Sequence, residues 1–289
     1  MKEFSFVGVP FDGAATLGWP GARYAPDEVR KHLDWMKMRV EHDRIYWIDR
    51  DEVVAFDPQS LHDVGDVAIV PHDLMATIAA VRDKVRTEAA SGRIPLVVGG
   101  DDSILFPAAA GIHDAMAGSV AIVHFDAHLD LLDRSDAQGT HSQSSGMRRA
   151  LELERVDPRL CVQVGTRNFN FPSSKRFIDG VGLVELPAAR VHSDGAEATV
   201  ARIIEVVEPS DHLVVSVDID VLDPAFAPGV GWQEPGGLAT RQLLDLLLPL
   251  ASRADGFALN EVNPMTDLGA QTTILAANLV FQFVVAAGL

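Results

Sequence analysis

Apolar and polar positions follow two periods along this chain, one of two residues and one near 3.6, and the two alternate. Phe4–Val9 reads as a strand, and Ala25–Met36 as a helix with Pro26 and Asp27 in its first turn. A short strand at Asp43–Ile48 precedes a helix over Pro71–Ala90, whose Leu74, Ile78, Val81 and Val85 form one stripe ended by Ser91-Gly92. Ile94–Val98 is a strand running into Gly99-Gly100-Asp101-Asp102-Ser103, and Ser103–Ala115 is helical. The strand Ser119–Val123 leads through a polar loop, Leu132–Ser145, to a helix over Met147–Glu154. Strands follow at Cys161–Val164 and Gly182–Leu186, a helix at Ala196–Val207, and a buried strand at His212–Val217. After the Pro- and Gly-rich loop Asp223–Gly237 come a helix at Thr240–Ala251, a strand at Gly256–Leu259 and a helix at Gln271–Ala287.

Strand–helix alternation with no linker, repeat or composition break predicts one domain over residues 1–289. Its expected architecture is a three-layer α/β/α fold with a mainly parallel central sheet. Ligands of such folds gather at the carboxyl ends of the strands.

Composition narrows the partners. With 47% hydrophobic residues in 289, the chain can bury a large core. A net charge of −17 argues against nucleic acid or an anionic membrane and is compatible with cationic substrates or metals. The one cysteine, Cys161 in the apolar run LCVQV, has no internal partner and reads as a buried strand residue in a reducing, cytoplasmic setting. The N-terminus turns polar too soon for a signal peptide. The apolar run Ile274–Leu289 is interrupted by Asn278 and Gln282, and so reads as a buried helix at a subunit contact, not a membrane span.

The chemistry sits where strands end. In Asp211–Pro224 (DHLVVSVDIDVLDP), Asp218 and Asp220 fall at i and i+2 and look into one space. Adjacent carboxylates there are costly unless protonated, hydrogen-bonded or bound to a cation. The same logic recurs in His124-Phe125-Asp126-Ala127-His128-Leu129-Asp130, where Asp126, His128 and Asp130 share a phase. These four aspartates and an imidazole are the donor mix of a Mn²⁺-like site. Capping aspartates would account for one such cluster, but two clusters closing two buried strands favour a metal. His124, just ahead of the cluster, is expected to face away from the ligands. His32, His42, His62, His72, His113, His192 and His212 read as surface or cap residues.

With these blocks in place the chain resembles the ureohydrolase (arginase, agmatinase, formimidoylglutamase) family. The resemblance runs through Gly8-Val9-Pro10-Phe11-Asp12, Pro20-Gly21-Ala22-Arg23, Gly99-Gly100-Asp101-Asp102-Ser103 and Asp126-Ala127-His128-Leu129-Asp130. It continues through Ser216-x-Asp218-x-Asp220-x-x-Asp223-Pro224, Pro235-Gly236-Gly237-Leu238 and Glu261-Val262-Asn263-Pro264. It implies an arginase-like fold and two divalent ions, Mn²⁺ first, with Ni²⁺ or another divalent ion as alternatives. Asp126 and Asp218 would bridge them, His128 and Asp220 would complete one ion, and Asp130 and residue 102 the other. Ions roughly 3.5–4 Å apart share a water and lower its pKa from about 16 toward 7. The hydroxide then attacks a guanidinium or amidine carbon. Asp130 would pass the proton to the leaving amine, and Glu261 would bind the guanidinium. The substrate implied is a small cationic guanidino or amidine compound, and the assembly a homo-oligomer, trimer or hexamer.

Two departures stand out. The family motif normally reads Gly-Gly-Asp-His-Ser, and here Asp102 occupies the histidine position. Aspartate can still ligate but adds negative charge, and the alternative is an empty or weak metal position. Many relatives also carry a proton-shuttling histidine just before the helix that starts near Met147. Alignment on Ser145-Gly146-Met147-Arg148-Arg149 puts Gln143 there, with His141 two residues earlier. A glutamine can hydrogen-bond a substrate but cannot shuttle a proton. The catalytic candidates are therefore Asp130 and His141, and the substrate-binding candidates Gln143 and Glu261. The leading expectation is an agmatinase or guanidino-acid hydrolase. One alternative is a formimidoylglutamase with Arg148, Arg149 and Arg167 forming a basic pocket. The other is a silent homologue, suggested by the changes at 102 and 143.

Overall fold

The structure, a computed structural model, describes residues 2–289. Its first half contains β1 (Phe4–Gly8), α1 (Ala25–Lys37), β2 (Arg44–Trp47), β3 (Glu52–Ala55), β4 (Leu61–Asp66), α2 (Leu74–Ala90), β5 (Ile94–Val98), α3 (Leu105–Ala115) and β6 (Val120–Phe125). The second half contains α4 (Gly146–Ala150), β7 (Val162–Val164), α5 (Pro172–Val181), β8 (Val184–Leu186), α6 (Ala188–Val207), β9 (His212–Asp218), α7 (Thr240–Ala251), β10 (Gly256–Asn260) and α8 (Gln271–Ala287).

Eight strands form one sheet in the order β4-β1-β5-β10-β9-β6-β7-β8, and every pairing is parallel. β1, β5, β6 and β10 are buried at every residue, which is why their sequences run apolar without a polar face. One core packs α1, α6, α7 and α8 on the sheet, with Val29, Leu33, Ile203, Leu243 and Phe283. The other packs α2, α3, α4 and α5 on the opposite face, with Val85, Ala108, Met147 and Ile178.

Side-chain alternation on the central strands positions the site. Leu213, Val215 and Val217 of β9 enter the first core, as do Val123 and Phe125 of β6 and Leu259 of β10. Val214, Ile122 and Ala258 enter the second. The register pairs His124 with Ser216, Phe125 with Val217, and Asn260 with Asp218. So the second face turns polar at the strands' carboxyl ends, first at His124 and Ser216, then at Asp126, Asp218 and Asn260.

β3, β4 and α5 were not expected from the sequence, and β2 and α6 differ from their predicted place or extent. β4 (LHDVGD) buries only its first residue, and Arg30 offsets its acids by pairing with Asp63 (2.9 Å) and Asp66 (2.7 Å). The predicted strand at Asp43–Ile48 lies outside the main sheet, where β2 pairs antiparallel with β3. α5 starts at Pro172 behind a loop-like Asn168–Phe171 run. α6 begins eight residues before the predicted Ala196 and breaks its helical geometry at Gly195 (φ 82°, ψ 166°). Cys161 is buried, and burial pushes its thiol up to about 12. No helix among the described residues is long and apolar enough to cross a membrane.

Candidate metal centre and active site

The four adjacent strands β5, β10, β9 and β6 each deliver acids at their carboxyl ends. After β5 the chain turns at Gly99 and Gly100, with φ of +94° and +88°. A Cβ on Gly99 would lie 2.5 Å from the Pro26 ring, and one on Gly100 2.8 Å from the Phe11 carbonyl, so only glycine fits this turn. The turn sends its two aspartates to different tasks. Asp101 accepts from Ser103 N (3.1 Å) and Ala14 N (2.9 Å) and so fixes the loops. Asp102 faces the centre: Oδ1 accepts from Asn260 Nδ2 at 2.6 Å, its backbone N donates to Glu261 Oε1 at 3.0 Å, and Oδ2 has no partner.

Two donor clusters meet at Asp126. His124 Nε2 lies 3.3 Å from Asp126 Oδ2 and 3.4 Å from Asp102 Oδ1. His128 Nδ1 lies 3.5 Å from Asp126 Oδ1 and 3.0 Å from Asp220 Oδ2. Donors about 2.1 Å from one ion and 90–110° apart are separated by roughly 3.0–3.5 Å, so both spacings suit a divalent cation. Both clusters qualify as groups able to hold an ion. Asp126 turns a different oxygen to each.

The burial pattern supports the same conclusion. Asp102 Oδ2, Asp126 Oδ2 and both ring nitrogens of His124 are buried without hydrogen-bond partners. Burial first, then mutual repulsion, pushes Asp102, Asp126, Asp130 and Asp218 above the usual carboxylate range. Burial also raises Glu261, with Asp101 and Asp220 adding to it. Asp220 differs: burial would raise it, but the charge and hydrogen bond of His128 outweigh that and hold it at about 2. Burial likewise opposes a charge on His128, yet Asp220 and Asp126 win and raise its pKa. Unpartnered buried oxygens and repelling carboxylates are what divalent cations neutralise, so the residues present fit a metal centre.

Beside the clusters opens a cavity of about 400 Å³ lined by His128, Asp130, Asp218, Asp220, Glu234 and Glu261, among others. Asp130 and Glu261 both have positive φ (46° and 59°), a strained backbone state for non-glycine residues that concentrates at functional sites. Gln143 lines the cavity and donates to the Leu17 carbonyl at 3.0 Å. His141 is not among the lining residues. Its ring packs against Phe106 (5.9 Å) and its Nδ1 meets Thr140 Oγ1 at 3.1 Å. The structure thus puts Gln143, not His141, on the cavity wall. The expected basic pocket does not form either. Arg148 pairs with Glu152 (3.0 Å), Arg149 with Asp133 (2.7 Å), and Arg167 binds the Asp220 and Glu234 carbonyls (2.6 and 2.7 Å).

His124 corrects the sequence reading. It lies two residues before Asp126, hence in the same phase, and β6 extends through Phe125, so its ring points at the ligands instead of away. Period two alone could have shown this. Asn260 and Glu234 were also missed. Asn260 directly precedes Glu261 at a strand end, which was a usable signal, whereas Glu234 sits in an irregular loop that offered none.

A sequence profile of the arginase family matches residues 2–286. The chain belongs to the arginase family. It is 33% identical over 284 residues to the guanidinopropionase of Pseudomonas aeruginosa, covering 97% of this chain and 85% of that protein. It is also 33% identical over 287 residues to the formimidoylglutamase of Halobacterium salinarum, covering 97% and 87%. Among solved structures, the proclavaminate amidinohydrolase of Streptomyces clavuligerus superposes with a TM-score of 0.85 at 30% identity, covering 99% and 92%. This arginase-family chain is accordingly a hydrolase of C–N bonds in linear amidines.

Proposed function

We propose that the enzyme hydrolyses a guanidino compound with a neutral or cationic tail, in the manner of an agmatinase, at a centre of two divalent ions. The observation that carries this reading is the lining of the cavity. Beyond the aspartates assigned below to the ions, Glu234 and Glu261 face it and no lysine or arginine does. Such a lining attracts a guanidinium and offers no counter-charge to a carboxylate tail. Identity near 33% to both a guanidinopropionase and a formimidoylglutamase leaves this choice to the site's electrostatics.

Asp126, His128, Asp218 and Asp220, with Asp102 and Asp130, are the residues we assign to the ions. Mixed carboxylate and imidazole donors suit Mn²⁺, with Ni²⁺ as the runner-up. The chemistry such ions supply is Lewis acidity, which makes a water nucleophilic near neutral pH. The chain's own residues do the rest. Glu261 has one oxygen held by the Asp102 amide and turns its carboxylate to the cavity, where it accepts a charge-assisted hydrogen bond from a planar guanidinium. Asp130 lines the same cavity, and burial favours its protonated form. It is therefore suited to take the proton lost by water and give it to the departing nitrogen. Water adds at the guanidinium carbon, the C–N bond to the tail breaks, and urea and a protonated amine leave.

Gln143 supplies a neutral hydrogen bond at the rim, where relatives of the family pattern use histidine. Trp232 donates to Glu234 Oε1 at 2.8 Å, and with Phe171 these residues form an aromatic and acidic mouth that suits an ammonium tail. The lone buried Cys161 suits a reducing compartment, and a homo-oligomer is carried over from the family resemblance. The test is a panel of guanidino and formimino compounds of differing tail charge, scored for urea, ammonia and formamide. Fastest release from a dicarboxylate formimino substrate would sink the assignment.

A further inference from the structure

With aspartate at position 102, one ion of a two-ion centre lacks the nitrogen donor that the family motif places there. The fold offers an imidazole from a different strand. His124 is fully buried at the end of β6, and neither of its ring nitrogens has a hydrogen-bond partner. A buried imidazole left this way forfeits what water would give it, unless something outside the polypeptide occupies the ring. Its Nε2 is aimed between Asp102 Oδ1 (3.4 Å) and Asp126 Oδ2 (3.3 Å). These separations are long for charge-assisted hydrogen bonds and match neighbouring vertices of one coordination sphere. Asp102 Oδ2 and Asp126 Oδ2 are also buried and unpartnered, so each member of the trio has donor capacity unused by the protein. Asn260 holds Asp102 Oδ1 at 2.6 Å, which fixes the carboxylate against His124. On the other side, a Cβ at Gly146 would lie 2.6 Å from Asp102 Oδ2, so only glycine leaves that oxygen room.

We propose that His124 is a direct metal ligand, the nitrogen donor of the ion that Asp102 and Asp126 hold, standing in for the histidine missing at 102. The inference rests on the two-ion reading above but is independent of the substrate. It has a consequence for selectivity. A set of carboxylates alone would take Mg²⁺ or Ca²⁺ as readily as Mn²⁺, whereas an added imidazole favours Mn²⁺, Co²⁺, Ni²⁺ or Zn²⁺ over the hard cations.

The competing role for His124 is an imidazolium that merely bridges two carboxylates in the metal-free chain. Electron spin-echo spectroscopy of full-length protein loaded with Mn²⁺, prepared with ¹⁴N- and ¹⁵N-histidine, separates the two. We expect two inequivalent imidazole nitrogens coupled to bound Mn²⁺, from His128 and His124, and loss of one in H124N. Mn²⁺ binding by calorimetry and metal analysis should show one site of H124N weakened more than about 100-fold, beyond the roughly 10–100-fold that losing an outer partner costs. In H124N/D102H, which returns an imidazole to position 102, the second ion should come back. A single coupled imidazole in wild type, or H124N binding two ions as tightly as wild type, would overturn the proposal. If H124N does not fold, the wild-type spectrum decides alone. Neither readout involves turnover, so an inactive protein with two coupled imidazoles would sink the proposed function and leave this inference standing.

Discussion

Glu261 Oε1 accepts a hydrogen bond from the backbone amide of Asp102 at 3.0 Å, tying the carboxyl ends of the adjacent strands β10 and β5 across the centre. Glutamine can accept the same bond through its amide oxygen, so Glu261→Gln should keep the fold and the metal content. It loses the charge that meets the guanidinium. We expect kcat/KM for a guanidino substrate to fall about 100-fold or more with thermal midpoint and metal stoichiometry unchanged. Equal activity would make Glu261 a structural tie only.

Asp126 presents Oδ1 toward His128 and Oδ2 toward His124. Its removal strips a donor from both clusters at once, whereas removal of Asp220 affects the His128 side. Asp126→Ala is therefore expected to bind neither ion tightly and to lose the thermal stabilisation that Mn²⁺ gives wild type. Metal analysis after dialysis decides. Two ions retained per chain would refute the shared-ligand assignment.

Stability of the metal-stripped protein should run against pH in a defined sense. Burial raises Asp101 to about 6, and burial with like charges raises Asp102, Asp126, Asp130, Asp218 and Glu261. The folded chain then holds protons that the unfolded chain has released above about pH 4. That contribution is full below about pH 4 and is lost as pH rises through 6 and beyond. His128, also raised, acts in the same direction above its ordinary value, while Asp220, held at about 2, stays ionised throughout and adds no slope. Chelator-treated protein should melt higher at pH 5 than at pH 8. With saturating Mn²⁺ the order should reverse, because protons compete for the ligands. Thermal melts at the two pH values with and without Mn²⁺ check both signs.

The sequence carried most of the fold because buried parallel strands leave uninterrupted apolar runs. Ile94–Val98 and Gln271–Ala287 were legible to the residue, whereas Thr240, read as a cap, is the first residue of its helix and Ala239 is the cap. β4 was not, since an edge strand stabilised by Arg30 needs no apolar pattern. In the site, Asp126, His128, Asp218 and Asp220 announce themselves by period two; Asp126, His128 and Asp220 form one donor cluster, and Asp218 lines the cavity beside it. What the pattern missed depends on contacts between distant segments: Asn260 on Asp102, Glu234 beside His128, and His141 drawn off to Phe106. The positive φ at Asp130 and Glu261 likewise has no signature in residue type.

The acidic mouth makes a prediction about the tail. Glu234 Oε1 accepts from the Trp232 ring nitrogen at 2.8 Å and approaches His128 Nε2 at 3.8 Å, so its charge sits between metal centre and solvent. Glu234→Gln should lower kcat/KM for an ammonium-tailed guanidino compound about tenfold, while a neutral-tailed analogue changes little. Steady-state kinetics on the two substrates give the ratio, and equal losses on both would remove Glu234 from tail recognition.

The central claim is that two divalent ions in this acidic centre drive guanidine hydrolysis. It is tested most directly by adding Mn²⁺ stepwise to chelator-treated protein while measuring bound metal and urea release from an ammonium-tailed guanidino substrate in the same samples. The account predicts little release at one ion per chain and a steep rise as occupancy approaches two. Two ions bound with no urea released, or full release at one, would contradict it.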